Sequence, residues 1–212
     1  FLVVPDPDGL RIGSGGATLR VLAALYGAPG EWAAQPALAQ VAAVDAAQQR
    51  ILLIHSGGDS RRLPHCSATG KLFARIPRTL PDGRASTIFD EFLINLSGVA
   101  GELPPGILLV SGDVLLVFDH LQLRLHRRGV TGVSAAVAAE MGTRHGVYVT
   151  APDRRSVRTF LHKVPIETLA DQGALDADGR VQIDTGIVWF DAATAGHVAG
   201  LTADPAVAAL CG

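Results

Sequence analysis

A glycine pair followed by cationic side chains comes directly after a strongly apolar run of the chain. Residues 51–54 form a buried strand by pattern, and the segment HSGGDSRRLP follows, with Lys71 nine residues beyond Arg62. Gly57 and Gly58 can adopt backbone conformations in which N–H groups approach an anion closely. The arginines and the lysine can neutralise phosphate oxygens. The sequence therefore predicts a phosphate-binding loop, and a nucleoside triphosphate is the ligand that best suits it.

Two other phosphate-binding patterns are excluded by single residues. Leu72 follows the Gly-Lys dipeptide where a Walker A loop needs serine or threonine, and His65 stands where that loop needs its first glycine. The dinucleotide fingerprint that begins at Gly13 fails because Thr18 occupies its last glycine position. A glycine pair by itself is more often a turn, so the prediction depends on the basic residues that accompany it.

Two aspartates are candidate metal ligands. Asp113 follows the apolar run 107–110 next to a glycine, and Asp184 lies near the start of the predicted strand 181–190. Magnesium binds through one or two carboxylates together with phosphate oxygens and water. Each aspartate alone also fits a turn or a strand edge, so a shared magnesium ion requires that the fold bring the two strands together.

The composition restricts the class of protein. The 212 residues carry a formal charge of −2 and no run of basic residues, which argues against a nucleic-acid partner. No apolar stretch approaches the ~20 residues of a membrane span. The two cysteines, Cys66 and Cys211, have no metal-ligand spacing and suit a reducing compartment, so a cytoplasmic location is expected. The length fits a single domain, and the abrupt first strand suggests a piece of a longer chain.

Apolar runs of strand length alternate with helix-length patterns, which indicates an α/β fold whose mixed or parallel sheet is flanked by helices. Ser86 and Thr87 precede an amphipathic pattern in which Ile88, Phe92 and Leu96 share one face, widened by Phe89 and Leu93. The predicted strands are 51–54, 107–110, 133–138, 146–150, 157–163 and 183–190. The other predicted helices are 17–26, 33–47 and 118–128. In such sheets ligands bind at the carboxyl ends of the strands, where the basic loop and Asp113 are expected.

Five segments together resemble one family, the pyrophosphorylase part of the L-fucokinase / GDP-L-fucose pyrophosphorylase family, a branch of the sugar nucleotidyltransferases. The segments are RIGSGGATL (11–19), ILLIHSGGDSRRLP with Lys71 behind it, LLVSGDV (108–114), RHGVYV (144–149) and DTGIVWFD (184–191). The resemblance spans nearly the whole chain, and the pair of glycine-rich segments is its most specific part. It implies a Rossmann-like, GT-A-like core with a mostly parallel sheet, and a magnesium-dependent transfer of a guanylyl group from GTP to a sugar 1-phosphate, L-fucose 1-phosphate above all.

The resemblance also implies roles for individual residues. Arg62 and Lys71 would be catalytic, with Lys71 stabilising charge on the α-phosphate and the departing pyrophosphate. Asp113 would bind Mg²⁺, and Asp184 would be a second metal ligand or a sugar contact. The positions expected to bind the nucleotide are Gly13, Gly15, Gly16, Thr18, Gly57, Gly58 and Ser60, and those expected to bind the sugar phosphate are Lys163 and His145.

Two departures from the family pattern bear on these roles. Val164 replaces a proline that follows the lysine in relatives, and Asp59 places a negative charge inside the phosphate loop. The glycine-rich motif of the sugar kinase that often accompanies this part is absent, so fucokinase activity is not predicted. A nucleotidyltransferase of the same fold for another sugar or base and a non-catalytic nucleotide-binding module remain alternatives. The sequence does not indicate an oligomeric state.

Overall fold

A mixed sheet of six strands flanked by helices is the framework of the chain in the computed structural model, which describes residues 2–27, 36–56, 63–115, 117–119, 123, 128–153 and 155–211. The helices are α1 (Gly13–Leu25), α2 (Pro36–Ala42), α3 (Ile88–Ala100), α4 (Ala139–Gly142), α5 (Ile166–Asp171), α6 (Ala192–Gly200) and α7 (Pro205–Ala208). The strands are β1 (Arg50–His55), β2 (Arg75–Thr79), β3 (Ala85–Thr87), β4 (Gly106–Ser111), β5 (Val130–Ala138), β6 (Gly146–Thr150), β7 (Val157–His162) and β8 (Arg180–Asp191). The large sheet has the order β1-β4-β8-β6-β7, with β5 also paired to β8, and β2 and β3 form a separate hairpin. The predicted α/β fold is confirmed.

All six predicted strands are present, whereas the helix boundaries differ from the predicted ones. Helix α1 begins at Gly13 instead of residue 17, and α2 ends at Ala42 instead of residue 47 because the chain turns there before it enters β1. Most of the predicted helix 118–128, and residues 33–35 of the predicted helix 33–47, lie outside the described residues. In the part of the chain that the structure describes, every helix is too short or too polar for a membrane span.

The chain divides into two compact units, of which the first comprises Phe1–Thr131 and Trp189–Gly212. Its core is formed where α1, α2 and α6 pack around β4, and it includes the fully buried Leu22, Leu38 and Ile107. Parallel pairing joins β1 to β4 and aligns His55 with Ser111 at the carboxyl ends of both strands. The first unit thus brings the carboxyl ends of β1 and β4 side by side.

Helix α3 begins at a threonine cap, one of the two caps that the Ser86-Thr87 pair predicts, and the structure extends it to a capping box. The Thr87 hydroxyl accepts the N–H of Asp90, and the Asp90 carboxylate accepts the N–H of Thr87. Phe92 and Leu96 are buried as expected, but Leu93 is 47% exposed, so the predicted wider apolar face is wrong at that position. Leu93 instead lines an apolar cavity of about 260 Å³ between α3 and the first residues of β1 and β4.

The second unit comprises Gly132–Val188. Strand β6 pairs antiparallel with β7 and with β8, so the expectation of a mostly parallel sheet holds for the β1-β4 pair and not here. The alternation of β6 sends Val147 and Val149 to one face, where Val147 packs in a core with Ala139, Leu169 and Val181. The opposite face carries Gly146 and Tyr148, which is the face relevant to the candidate site.

A glycine in the first unit provides a stability test. A Cβ on Gly106 would overlap the carbonyl oxygen of Phe190, which is backbone and cannot rotate away. We expect Gly106→Ala to lower the free energy of unfolding by about 1–3 kcal/mol, as overpacking of a tight site does, measured from urea denaturation midpoints. Gly101→Ala is the matched control, because a Cβ there meets nothing within 4 Å. Equal midpoints for the two variants would contradict this close approach of the two strands.

Candidate functional site

Four predicted positions of the phosphate loop, Gly57, Gly58, Ser60 and Arg62, lie outside the described residues, and their roles remain predictions. The described residues on both sides of this loop are His55 and Ser56 at the end of β1 and Leu63 at its exit. The described part of the site therefore consists of the strand ends and of the segments that pack around them.

The ends of β1 and β4 are held together by the backbone. The N–H of Gly112 donates to the carbonyl oxygen of His55 at 2.9 Å. A Cβ on Gly112 would lie 2.6 Å from that oxygen, so only glycine permits this approach. Asp113, the next residue after Gly112, is consequently held beside the carboxyl end of β1, as the parallel pairing of β1 and β4 predicts.

Lys71 and Asp113 lie side by side at this edge. Lys71 Nζ is 3.5 Å from Asp113 Oδ2, and the Ser111 hydroxyl donates to Asp113 Oδ1 at 2.9 Å. The Lys71 side chain is 24% exposed and that of Asp113 is 49% exposed. An ion pair this exposed contributes little to stability. The pair thus leaves both charged groups accessible to a ligand, and the structure brings together two residues that are 42 positions apart.

The donor set beside Lys71 is suitable for magnesium. The exposed Asp113 carboxylate and the Ser111 hydroxyl are hard oxygen ligands, and magnesium usually completes its octahedron with water and phosphate oxygens. Among the described residues, no three histidine, cysteine, aspartate or glutamate side chains form a metal-binding cluster by themselves. Asp113 belongs to the first unit and Asp184 to the second, so a metal shared by the two remains a prediction.

The glycines of RIGSGGATL lie within the first turn of α1 and not ahead of the helix. Gly13 has a φ of +72°, which favours glycine, and both it and Gly15 are exposed. Gly16 is buried, and a Cβ there would overlap the carbonyl oxygen of Leu210. Packing against the chain's last helical turn therefore explains why position 16 is glycine, while the nucleotide-binding role predicted for these three residues remains a prediction.

Thr18 contacts a residue to which the sequence assigns no role. Its hydroxyl oxygen lies 2.8 Å from Nε2 of His55, in partly buried surroundings. Burial lowers the pKa of His55, and nearby Asp6 opposes this effect only in part. The imidazole is therefore neutral near pH 7, and it links α1 to the end of β1.

The lowered pKa of His55 predicts a stability loss in acid. As the pH falls through about 6.5, His55 gains a proton in the unfolded chain while it stays neutral in the folded one, so the free energy of unfolding decreases. We expect His55→Gln to reduce this decrease between pH 7 and 5, measured by urea denaturation at several pH values. His65→Gln, at an exposed position, is the control. An unchanged pH dependence in His55→Gln would be inconsistent with a partly buried, neutral imidazole.

In the second unit, Asp184 is bound to Tyr148. The Tyr148 hydroxyl donates to Asp184 Oδ1 at 3.0 Å, and the N–H of Gly186 donates to the same oxygen at 2.9 Å. Burial and the adjacent Asp184 charge raise the pKa of Tyr148 well above its ordinary range, so the phenol keeps its proton. A Cβ on Gly132 would lie 2.5 Å from the Tyr148 hydroxyl oxygen. The sequence assigns Tyr148 no role, although the alternation of residues 146–150 places it on the face opposite Val147 and so signals a position outside that core.

The two residues predicted to bind the sugar phosphate meet at the end of the β6-β7 pair. The N–H of Lys163 donates to the carbonyl oxygen of His145 at 3.0 Å. Lys163 has a φ of +54°, in the left-handed region that non-glycine residues seldom occupy and that is enriched at functional sites. Val164, which replaces the family's proline, packs against the core of the second unit. The substitution therefore fills an apolar position and leaves the exposed Lys163 side chain in place.

Comparisons with known proteins agree with the resemblance seen in the motifs. The Fucose pyrophosphorylase domain family matches residues 45–210. The chain is 32% identical over 209 residues to a bifunctional fucokinase/GDP-fucose pyrophosphorylase of Arabidopsis thaliana, covering 88% of this chain and 20% of that protein. It is 31% identical over 199 residues to a fucose-1-phosphate guanylyltransferase of Homo sapiens, covering 85% of this chain and 29% of that protein.

A bacterial relative extends the same pattern. An L-fucokinase/L-fucose-1-P guanylyltransferase of Bacteroides fragilis is 28% identical over 194 residues, which is 86% of this chain and 19% of that protein. The chain thus spans less than a third of the length of the curated relatives it matches. No solved structure matches it. Since the family match covers most of the residues and includes the segments that carry Lys71, Asp113 and Asp184, the chain belongs to the fucose pyrophosphorylase family.

Proposed function

We propose that this chain carries the site for magnesium-dependent transfer of a guanylyl group from GTP to a sugar 1-phosphate, with L-fucose 1-phosphate as the acceptor. The observation that carries the proposal is the Lys71–Asp113 pair at the carboxyl ends of two parallel strands. The names of relatives from a plant, a mammal and a bacterium, which specify a guanylyltransferase or GDP-fucose pyrophosphorylase, support the choice of base and sugar. The cytoplasmic location expected from the two free cysteines is part of the proposal.

The chemistry requires neutralisation and alignment of two anions. A phosphate oxygen of the sugar 1-phosphate attacks the α-phosphorus of GTP, a new P–O bond forms, and the bond to pyrophosphate breaks. The attacking phosphate is already ionised near neutral pH, so no general base or covalent nucleophile is needed. The Lys71 ammonium would stabilise charge on the α-phosphate and the departing pyrophosphate, while the Asp113 carboxylate and the Ser111 hydroxyl would hold magnesium, which neutralises phosphate oxygens when bound.

The second unit offers groups suited to the sugar 1-phosphate. Lys163 and His145 lie at one strand end and carry the charge and hydrogen-bond donors that a phosphate monoester needs. Asp184, oriented by the Tyr148 hydroxyl, is an acceptor suited to a sugar hydroxyl. Two roles are expected for Asp184, a sugar contact and a second metal ligand. The bond to Tyr148 favours the sugar contact, because the protonated phenol remains a hydrogen-bond donor to the Asp184 carboxylate.

Pyrophosphate release tests the proposal. The chain is incubated with magnesium and β-L-fucose 1-phosphate together with GTP or with ATP, and the sugar phosphate is omitted in the control. We expect release that requires both GTP and the sugar phosphate.

Three other outcomes would change the proposal. Pyrophosphate release with ATP but not with GTP would mean that the enzyme uses a different nucleotide base. Pyrophosphate release with another sugar 1-phosphate but not with L-fucose 1-phosphate would mean that the acceptor is a different sugar. Binding of GTP without release under all conditions would indicate a nucleotide-binding module that lacks catalysis.

A further inference from the structure

The hydrogen bond between Thr18 and His55 connects a helix to the strand end on which Asp113 depends. Thr18 Oγ1 and His55 Nε2 are 2.8 Å apart and belong to α1 and β1. The backbone of the same histidine accepts the N–H of Gly112 at 2.9 Å. One residue therefore contacts α1 through its ring and the end of β4 through its carbonyl oxygen.

The sequence of the first turn of α1 does not by itself favour a helix. Three of the first four residues, Gly13 to Gly16, are glycines, which are poor helix formers, and no side chain caps this end of the helix. The apolar contacts of α1 come mainly from its carboxyl-terminal half, where Leu22 and Leu25 enter the core. Gly16 approaches Leu210, and the buried Arg20 donates to the carbonyl oxygen of Cys211, so these contacts hold α1 against residues 210–211. The bond from Thr18 to His55 instead holds α1 to the end of β1.

A merely structural role of this bond would affect only stability. Removing one partner would then lower the melting temperature and leave the chemistry unchanged. The arrangement is more specific than that, because the His55 carbonyl oxygen accepts from the residue directly before Asp113, and Asp113 in turn contacts Lys71. A shift of the His55 backbone would move Gly112 and Asp113, since the N–H of Gly112 is hydrogen-bonded to the His55 carbonyl oxygen.

We propose that His55 is a positioning residue for the Lys71–Asp113 pair, and that Thr18 holds its imidazole in place. The inference rests on the proposed function of that pair. Neither His55 nor Thr18 needs to touch the reacting atoms. Misplacement of catalytic groups by as little as 1 Å can cost on the order of a hundredfold in rate, so loss of the Thr18 hydroxyl is expected to lower turnover and to weaken the use of magnesium at Asp113.

The test compares Thr18→Val, His55→Phe, His55→Gln and His55→Asn in the 212-residue chain. Thr18→Val removes the hydroxyl and keeps the shape. Glutamine can place an amide near the position of Nε2, whereas the amide of the shorter asparagine lies near that of Nδ1. Thr202→Val is the matched control, because the Thr202 hydroxyl is buried and donates to the Ala199 carbonyl oxygen on α6, so a similar bond is lost elsewhere in the same unit.

We expect Thr18→Val and His55→Phe each to lower kcat about tenfold and to raise the magnesium concentration for half-maximal rate. The double variant should also be about tenfold lower, because both changes break one link. His55→Gln should retain most of the activity that His55→Asn loses. Wild-type kcat in Thr18→Val, multiplicative losses in the double variant, or an equal kcat loss in Thr202→Val would each overturn the inference. If His55→Phe does not fold, Thr18→Val and the Gln and Asn pair decide.

A binding measurement separates this inference from the proposed function. If the wild-type chain binds GTP with magnesium in calorimetry but releases no pyrophosphate, the proposed function fails. The inference is then tested by the factor by which magnesium raises the affinity for GTP. This factor should be about tenfold smaller in Thr18→Val than in Thr202→Val. Equal magnesium dependence in these two variants would overturn it.

Discussion

Lys71→Ala is expected to lower kcat/KM for GTP by roughly a hundredfold to a thousandfold, the usual effect of removing a group that stabilises charge in the transition state. The melting temperature should stay within about a degree, because the exposed ion pair with Asp113 contributes little to stability. Initial rates of pyrophosphate release over a range of GTP concentrations, together with thermal unfolding, measure both quantities on the same preparations.

The loss should be specific to position 71. Arg75→Ala removes the same charge from an exposed residue on β2 a few positions further along the chain, and it should leave kcat/KM within about twofold. Lys71→Arg should recover only part of the activity, since the guanidinium keeps the charge but has a different shape and reach. A Lys71→Ala variant with near wild-type kcat/KM would exclude Lys71 from the chemistry. An equal loss in Arg75→Ala would indicate that the overall positive charge in this region, and not Lys71 itself, supports the reaction.

Asp113→Asn is expected to raise the magnesium concentration for half-maximal rate at least tenfold. The amide keeps the shape of the side chain and its hydrogen bond to Ser111 but offers magnesium no negative charge. Turnover at saturating magnesium should recover in part, which distinguishes weak metal binding from a lost fold. Magnesium titrations of the initial rate, with Asp178→Asn as a control at an exposed acidic residue of the second unit, measure the effect.

Two results would contradict this role of Asp113. An unchanged magnesium titration would exclude it as a metal ligand. A complete loss of GTP binding at every magnesium concentration would instead indicate that the charge of Asp113 is needed to keep Lys71 in place. Removal of magnesium with EDTA should abolish turnover by the wild-type chain, and added magnesium should restore it.

Local sequence patterns predict elements best where the pattern needs no distant partner. The apolar run of β6 gives both of its boundaries, 146 and 150. The Ser86-Thr87 pair indicates the start of α3, which Thr87 caps, because capping is a contact over three residues. The hairpin of β2 and β3 is not predicted, although the Pro-Asp-Gly turn at 81–83, with Gly83 at a φ of +86°, is a signal for it.

Helix α1 shows where local patterns fail. The glycine cluster indicates a start near residue 17, because glycine disfavours helices, but the helix begins at Gly13. Tertiary contacts compensate for the unfavourable propensity, since Gly16 packs under the Leu210 carbonyl and Thr18 bonds to His55. The partners of these contacts lie far along the chain, so no window of sequence around α1 contains them.

The sequence by itself determines the family, the α/β class and the types of residue available for phosphate and metal binding, because motifs and periodicity are properties of short segments. Only the tertiary structure decides which of these residues meet. Lys71 reaches Asp113 across 42 positions, Thr18 reaches His55 across 37, and Tyr148 reaches Asp184 across 36. These contacts follow from strand pairing and helix packing between distant segments, in which the geometry of the whole sheet, and not the local pattern, sets the distance between two side chains.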